Sequence, residues 1–185
     1  MLFGQKQRFA IEAMIEPGLS SLSSVWGRMR VWCDGRAMGD YLNERCGMPY
    51  IQFRALRAGL SKFWLREFDA LDDVSIFHRL DSALFGCRDG IEVVDERTPA
   101  QYRDDALLYD RFTFLVNWGE MFDGDGKLFV LCPDGIRVRV LHQPAGATGC
   151  SVLTATVADV EDACDGFLSW FERQASALGT PAASS

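Results

Sequence analysis

The side chains that most often carry acid–base and nucleophilic chemistry are sparse in this sequence. Its 185 residues include two histidines, His78 and His142, so imidazole-based catalysis has few candidates. His142 is expected at the end of a strand and His78 on a helix, where structural or solvent-exposed roles are the commoner ones. No GxSxG, P-loop, GxGxxG or HExxH motif is present. We therefore expect no enzymatic activity, no metal and no cofactor.

The six cysteines have no spacing typical of a metal or redox site. None forms a CxxC pair, and no histidine is close enough in sequence to complete a zinc-finger pattern. In a long chain without an export signal, reduced buried thiols are expected, which favours a cytoplasmic protein. A cysteine–histidine nucleophile would form only in the folded chain, so an enzyme with a low-pKa thiol stays open as an alternative.

The segment DGDG, residues 123–126, resembles the start of a calcium-binding loop. An EF-hand loop needs an oxygen ligand at its fifth position and a glutamate at its twelfth. This sequence has Lys127 and Asp134 at those positions. We therefore interpret the segment as an acidic turn between strands.

Two groups of side chains indicate protein recognition. Tryptophan and arginine dominate binding hot spots, and they alternate on one face of a predicted strand: Trp26, Arg28, Arg30 and Trp32. A second group predicts an acidic rim that could face a basic partner: Trp118, Glu120, Asp123 and Asp125. An exposed first face could stack on a protein or on single-stranded nucleic acid. The alternative for the first group is a buried face covered by a helix. The alternative for the second group is an ordinary solvated loop.

The overall composition argues against nucleic acid and membranes as partners. Lys and Arg total 19 against 26 Asp and Glu, giving a formal charge of -7 that repels phosphate backbones. No run approaches the roughly 20 apolar residues of a membrane span, while 48% hydrophobic residues suffice for a core. We expect one domain over residues 1–178, monomeric or homodimeric, followed by a disordered tail over residues 179–185.

The apolar periodicity of the chain predicts strands, then helices, then strands, then a helix. The predicted strands cover residues 9–15, 25–33, 36–41, 112–117, 127–132, 136–142 and 150–157, with Asp34-Gly35 as a hairpin turn. Helices are predicted over residues 50–71, over 74–85 ending at Gly86, and along a C-terminal stripe capped by Thr156 and Asp159. Residues 87–110 are expected to be irregular, apart from a candidate short strand at 91–94.

This order favours the α+β class: a single domain with one mainly antiparallel β-sheet packed against a long middle helix and a C-terminal helix. The apolar face of the sheet is expected to lie beneath these two helices.

Five segments together carry a family resemblance: Phe3-Gly4, RFAIEAMIE at 8–16, GRMRVWCDGRAMGD at 27–40, NWGEMFDGDGKLFVL at 117–131 and FLSWFE at 167–172. Taken together, they resemble the bacterial immunity protein 42 family. The resemblance implies a protein encoded beside a polymorphic toxin, which protects the producing cell by binding the toxin's C-terminal domain. It also implies an α+β fold and gives no catalytic residues to transfer.

Such a protein must act quickly and hold its target, so a preformed surface and electrostatic steering toward a basic toxin are expected. We hypothesise that carboxylates occupy a basic cleft and occlude the toxin's active site. A regulatory or adaptor module with another partner remains the alternative, and the identity of the gene immediately upstream distinguishes the two.

Overall fold

The computed structural model describes residues 1–20, 25–88, 91–92 and 96–178. The tail expected at residues 179–185 lies outside these ranges, as does part of the candidate strand at 91–94. Within them, the elements confirm the α+β class, with antiparallel sheets and helices that include a C-terminal one.

The first five strands form one antiparallel sheet, here called the N-terminal sheet, in the order β1-β2-β3-β4 with β5 paired to the start of β3. Their bounds are β1 Leu2–Gly4, β2 Phe9–Ile15, β3 Trp26–Cys33, β4 Arg36–Met38 and β5 Cys46–Gly47. The predicted hairpin turn is present, since Asp34 and Gly35 have φ values of 52° and 75°. One face of β2 and β3 is apolar and buried, as the alternation predicts.

The later strands form a second antiparallel sheet, here called the C-terminal sheet, in the order β10-β9-β8. Their bounds are β8 Lys127–Leu131, β9 Arg137–Gln143 and β10 Ser151–Thr156. Separately, β6 Cys87–Arg88 pairs antiparallel with β7 Ile91–Glu92. The expectation of one sheet was therefore wrong. Each block pairs within itself through short connections, because local hairpins close with the least loss of chain entropy.

Four α-helices lie in the described ranges: α1 Tyr50–Gly59, α2 Asp73–Phe85, α3 Pro99–Tyr109 and α4 Val157–Leu178. The long middle helix predicted over 50–71 is shorter than expected, because it gives way at Gly59 to separate 3₁₀ turns at Leu60–Lys62 and Arg66–Phe68. Glycine favours this break. The break also lets the Phe63 carbonyl accept a hydrogen bond from Cys132 N at 2.8 Å, after β8.

Two further expectations for the middle of the chain were wrong. Helix α3 occupies a stretch expected to be irregular, and Thr98 and Gln101 form its capping box. Tyr109 is the one residue that this helix buries, and its sequence has no apolar stripe that could have indicated a helix. The strand expected at 112–117 is absent, because Leu115 and Asn117 adopt φ values of 62° and 61° that break a strand.

A continuous apolar core joins both sheets and the helices. Helix α4 lies against β1, β2 and α1, with the Phe53 and Phe167 rings 5.1 Å apart. Helix α2 lies on the C-terminal sheet through Phe77 and Phe129, whose rings are 5.2 Å apart. Helix α2 also carries Asp81, which is 0% exposed and pairs with Lys127 Nζ at the start of β8.

Candidate functional site

The face of the N-terminal sheet that points away from the core carries the four predicted hot-spot residues: Trp26, Arg28, Arg30 and Trp32. Trp26 is 37% exposed, and the two arginine side chains are 21% and 27% exposed. This charged sheet face therefore lies at the surface of the molecule.

The arginines of the charged sheet face are paired with Glu12 of β2 and with Glu16, which directly follows β2. Arg30 is the register partner of Glu12, and their Nε and Oε2 atoms are 2.8 Å apart. Arg28 reaches diagonally to Glu16 at 2.7 Å. The positive charges of this face are thus largely neutralised within the protein itself.

Aromatic stacking and hydrogen bonds fix this arrangement. The Arg30 guanidinium lies 4.8 Å from the Trp32 ring and 4.9 Å from the Tyr41 ring. Burial disfavours the Glu12 carboxylate, but hydrogen bonds from Arg30, Trp32 and Lys6 outweigh it and lower the pKa of Glu12 to about 2. The charged sheet face is therefore a preformed, ordered surface at neutral pH.

An acidic cleft of about 720 Å³ lies beside this face. Its lining residues are Gly39, Asp40, Glu44, Glu120, Met121, Asp123, Gly124 and Asp125. The last five belong to a 3₁₀ segment, Glu120–Asp125, which replaces the acidic turn expected from the sequence. Within the described ranges, none of the five carboxylates forms an ion pair with Lys or Arg.

Two contacts hold the walls of the cleft together. Buried Met121 and Phe122 anchor the 3₁₀ segment in the core, which leaves Glu120 and Asp123 exposed. The amide of Asp40 donates to the Met121 carbonyl at 2.7 Å. Hydrogen bonds from Asn43 lower the pKa of Asp40, so its carboxylate stays charged.

Of the four residues predicted to form the acidic rim, the structure places three in the cleft: Glu120, Asp123 and Asp125. Trp118 lies in a different depression, with its ring in edge contact with Phe53 at 5.1 Å. Sequence reasoning also missed Asp40 and Glu44, which a loop distant in sequence brings into the cleft. No local pattern marks these two residues, since only the fold brings the two segments together.

Asp125 is the innermost acid of the cleft. Its Oδ2 atom is buried without a hydrogen-bond partner, and its carbonyl oxygen lies 2.7 Å from Nε2 of buried His142. Burial raises the pKa of Asp125 to about 6, with the Gly39 backbone and Arg36 only partly offsetting it. Among the described residues no group of His, Cys, Asp and Glu side chains has the arrangement of a metal site.

The substitution Asp125→Asn is expected to stabilise the protein at neutral pH. Because the pKa of Asp125 in the folded protein is raised above its ordinary value of 3.8, ionisation of Asp125 lowers stability as pH rises from about 4 to 6. Above about pH 6 the carboxylate is charged, and the full loss of folding stability is present. Allowing for partial solvent exposure, we expect a gain of about 1 kcal/mol at pH 7.5 that shrinks toward pH 4.

Urea unfolding at both pH values measures this gain. Asp123→Asn is the matched control, because Asp123 lines the same cleft but is exposed, and it should change stability by less than about 0.5 kcal/mol. Equal effects of the two substitutions, or a gain independent of pH, would contradict the burial penalty assigned to Asp125.

Five of the six cysteine thiols do not resemble activated nucleophiles. Burial raises the pKa of Cys33 and of Cys164 to about 12. Burial also raises the pKa of Cys46, Cys132 and Cys150. A nucleophilic cysteine needs a lowered pKa, so these five thiols give no support to the enzyme alternative.

None of the described helices has the length and apolar character needed to cross a membrane. The fold is similar to the crystal structure of CdiI from Burkholderia dolosa AUO158, with a TM-score of 0.59 over 92% of this chain and 99% of that chain. Sequence identity is 11%, so this likeness concerns the fold alone. No curated protein matches the sequence.

The family comparison agrees with the resemblance noted from the sequence. The model of the family described as Immunity protein 42 matches residues 1–160, which is most of the chain. This protein therefore belongs to the immunity protein 42 family and has a role in toxin immunity.

Proposed function

We propose that the protein neutralises its cognate toxin by binding the toxin's C-terminal domain and covering its active site, without catalysing a reaction. The observation that carries this proposal is the acidic cleft. Five carboxylates line about 720 Å³ of open space and form no ion pair with Lys or Arg in the described ranges. A basic surface on the toxin would supply the missing positive charges.

The charge of the whole chain supports a basic partner. A formal charge of -7 steers a positively charged protein toward the complex and raises the association rate. Fast association suits an immunity protein, which must act before the toxin reaches its substrate. In this proposal, the carboxylates of the cleft occupy the basic site that the toxin uses for its own substrate.

The acidic cleft and the charged sheet face form one continuous surface. The loop that begins at Asp40 connects them, because Arg28 Nη1 donates to the Leu42 carbonyl at 3.2 Å and Tyr41 stacks on Arg30. Ordered arginine and tryptophan side chains lose little entropy on binding, which favours a slow dissociation rate. The sheet face would therefore hold the partner that the cleft attracts.

A mechanism without catalysis agrees with the chemistry of the side chains. Five thiols have raised pKa values, and buried His142 is engaged with the Asp125 carbonyl. The six cysteines are free, which supports action in the reducing cytoplasm of the producing cell.

Co-expression tests the proposed function directly. The C-terminal domain of the large neighbouring gene product is produced in a susceptible host with and without this protein, and the pair is then analysed by size-exclusion chromatography. Relief of toxicity with a stable complex is the expected result. Relief without a complex would indicate an enzymatic antidote, and a toxin that remains active would remove the proposal.

A further inference from the structure

A second depression, here called the apolar groove, lies between α1 and the chain that precedes β8. Its volume is about 280 Å³. Apolar side chains line it, those of Leu56, Phe63, Trp118 and Val130, together with the small residues Ala55 and Gly59. A groove of this size and composition fits one apolar side chain of a partner.

The rim of the apolar groove is positively charged, although the protein as a whole is acidic. Lys62 and Arg111 both line it, both are exposed, and neither forms an ion pair with a described residue. Asp110 is the one acidic residue among those lining the groove. The rim therefore carries a net positive charge in a chain whose formal charge is -7, and it fits a carboxylate next to the apolar side chain.

The apolar groove lies directly beside the acidic cleft. Trp118 lines the groove and Glu120 lines the cleft, with only Gly119 between them. Edge contacts to Phe53 at 5.1 Å and to Phe114 at 5.5 Å hold the Trp118 ring in place. A protein bound over the cleft can thus reach the groove without a rearrangement of this chain.

We infer that the apolar groove is a second contact for the same toxin domain, and that it takes an aliphatic or aromatic side chain flanked by an Asp or Glu residue. This inference rests on the proposed function. A cation in the cleft and a carboxylate at the groove fix the orientation of the partner. A related toxin that lacks this cation and carboxylate would leave Lys62 and Arg111 without a charged partner, so its affinity would be lower.

Filling the groove tests the inference without disturbing the core. Ala55 is exposed on α1 and lines the groove, so Ala55→Trp places an indole in it. Ala58 is exposed on the same helix and does not line the groove, so Ala58→Trp is the matched control. With the toxin C-terminal domain as probe, we expect the dissociation constant to rise at least about tenfold for Ala55→Trp and to stay within about twofold for Ala58→Trp.

Charge reversal at the rim gives a second, independent measurement. The double substitution Lys62→Glu with Arg111→Glu is expected to weaken binding about tenfold or more. Its matched control is Arg66→Glu with Arg103→Glu, which makes the same change of charge at exposed residues that do not line the groove. Equal binding by the Ala55→Trp and Ala58→Trp variants would overturn the inference and leave the proposed function intact. A homodimer that Ala55→Trp dissociates would also overturn it. Failure of the wild-type chain to bind the toxin domain would remove the proposed function, and the inference with it.

Discussion

Reversing two charges in the acidic cleft, by Glu120→Lys with Asp123→Lys, is expected to abolish protection while leaving the protein folded. Both side chains are exposed and make no ion pair with Lys or Arg in the described ranges, so the fold does not depend on them. At the interface, each lysine would face a cation of the toxin. Like-charge contacts of this kind cost several kcal/mol, so the dissociation constant should rise by about 100-fold or more. Calorimetry and a growth assay under toxin expression measure the two effects.

The matched control for this double substitution is Asp104→Lys with Asp162→Lys. Both aspartates are exposed and lie outside the cleft, so the change of net charge is the same. The control should slow association modestly and leave protection intact. Equal loss of binding in both variants would mean that net charge, and not the cleft, carries recognition. Association rates that do not fall at high salt would contradict steering.

The substitution Lys127→Met removes the ammonium group that pairs with buried Asp81, and it is expected to have the largest effect on stability. Asp81 is 0% exposed and pairs with Lys127, which bridges α2 and β8. Without the ammonium group, the Asp81 carboxylate must remain charged in the core without that partner or take up a proton. Breaking a buried pair in this way typically costs about 3–5 kcal/mol, so the urea midpoint should fall sharply.

The double variant Asp81→Leu with Lys127→Met separates the charge from the packing. Replacing both members of a buried pair by apolar residues is often neutral or stabilising, so most of the lost stability should return. A loss below about 1 kcal/mol in Lys127→Met alone would show that Asp81 does not depend on this ammonium group. No recovery in the double variant would show that the methylene groups of Lys127 matter more than its charge.

The parts of the fold that could be predicted from sequence are those with a local cause. The β2–β3 alternation places alternate side chains on opposite faces, and Asp34-Gly35 supplies the positive φ values of the turn. Helix α4 has a wide apolar stripe and begins at the Thr156–Asp159 capping pair. In both cases the period and the end signals lie within one segment of sequence.

The remaining parts depend on contacts that no single segment contains. Helix α1 ends at Gly59, and beyond that end the Phe63 carbonyl accepts a hydrogen bond from Cys132, which follows β8. Helix α3 has a capping box but no apolar stripe, so only the signal at its start could have revealed it. The acidic cleft needs Asp40 and Glu44 from one loop and Glu120 from another, and these come together only in the folded chain.

The glycines on either side of the 3₁₀ segment Glu120–Asp125 have a consequence for how such proteins diverge. A Cβ on Gly119 would lie 2.6 Å from the Cys46 sulfur, and one on Gly126 would lie 2.2 Å from the Gln143 carbonyl. These ends are therefore sterically fixed, whereas the side chains of Glu120 and Asp123 point to solvent. Substitutions there can change the charge presented to a partner at little expense to folding. If the cleft binds the toxin as proposed, an immunity lineage can acquire a new specificity in single mutational steps while its scaffold stays constant.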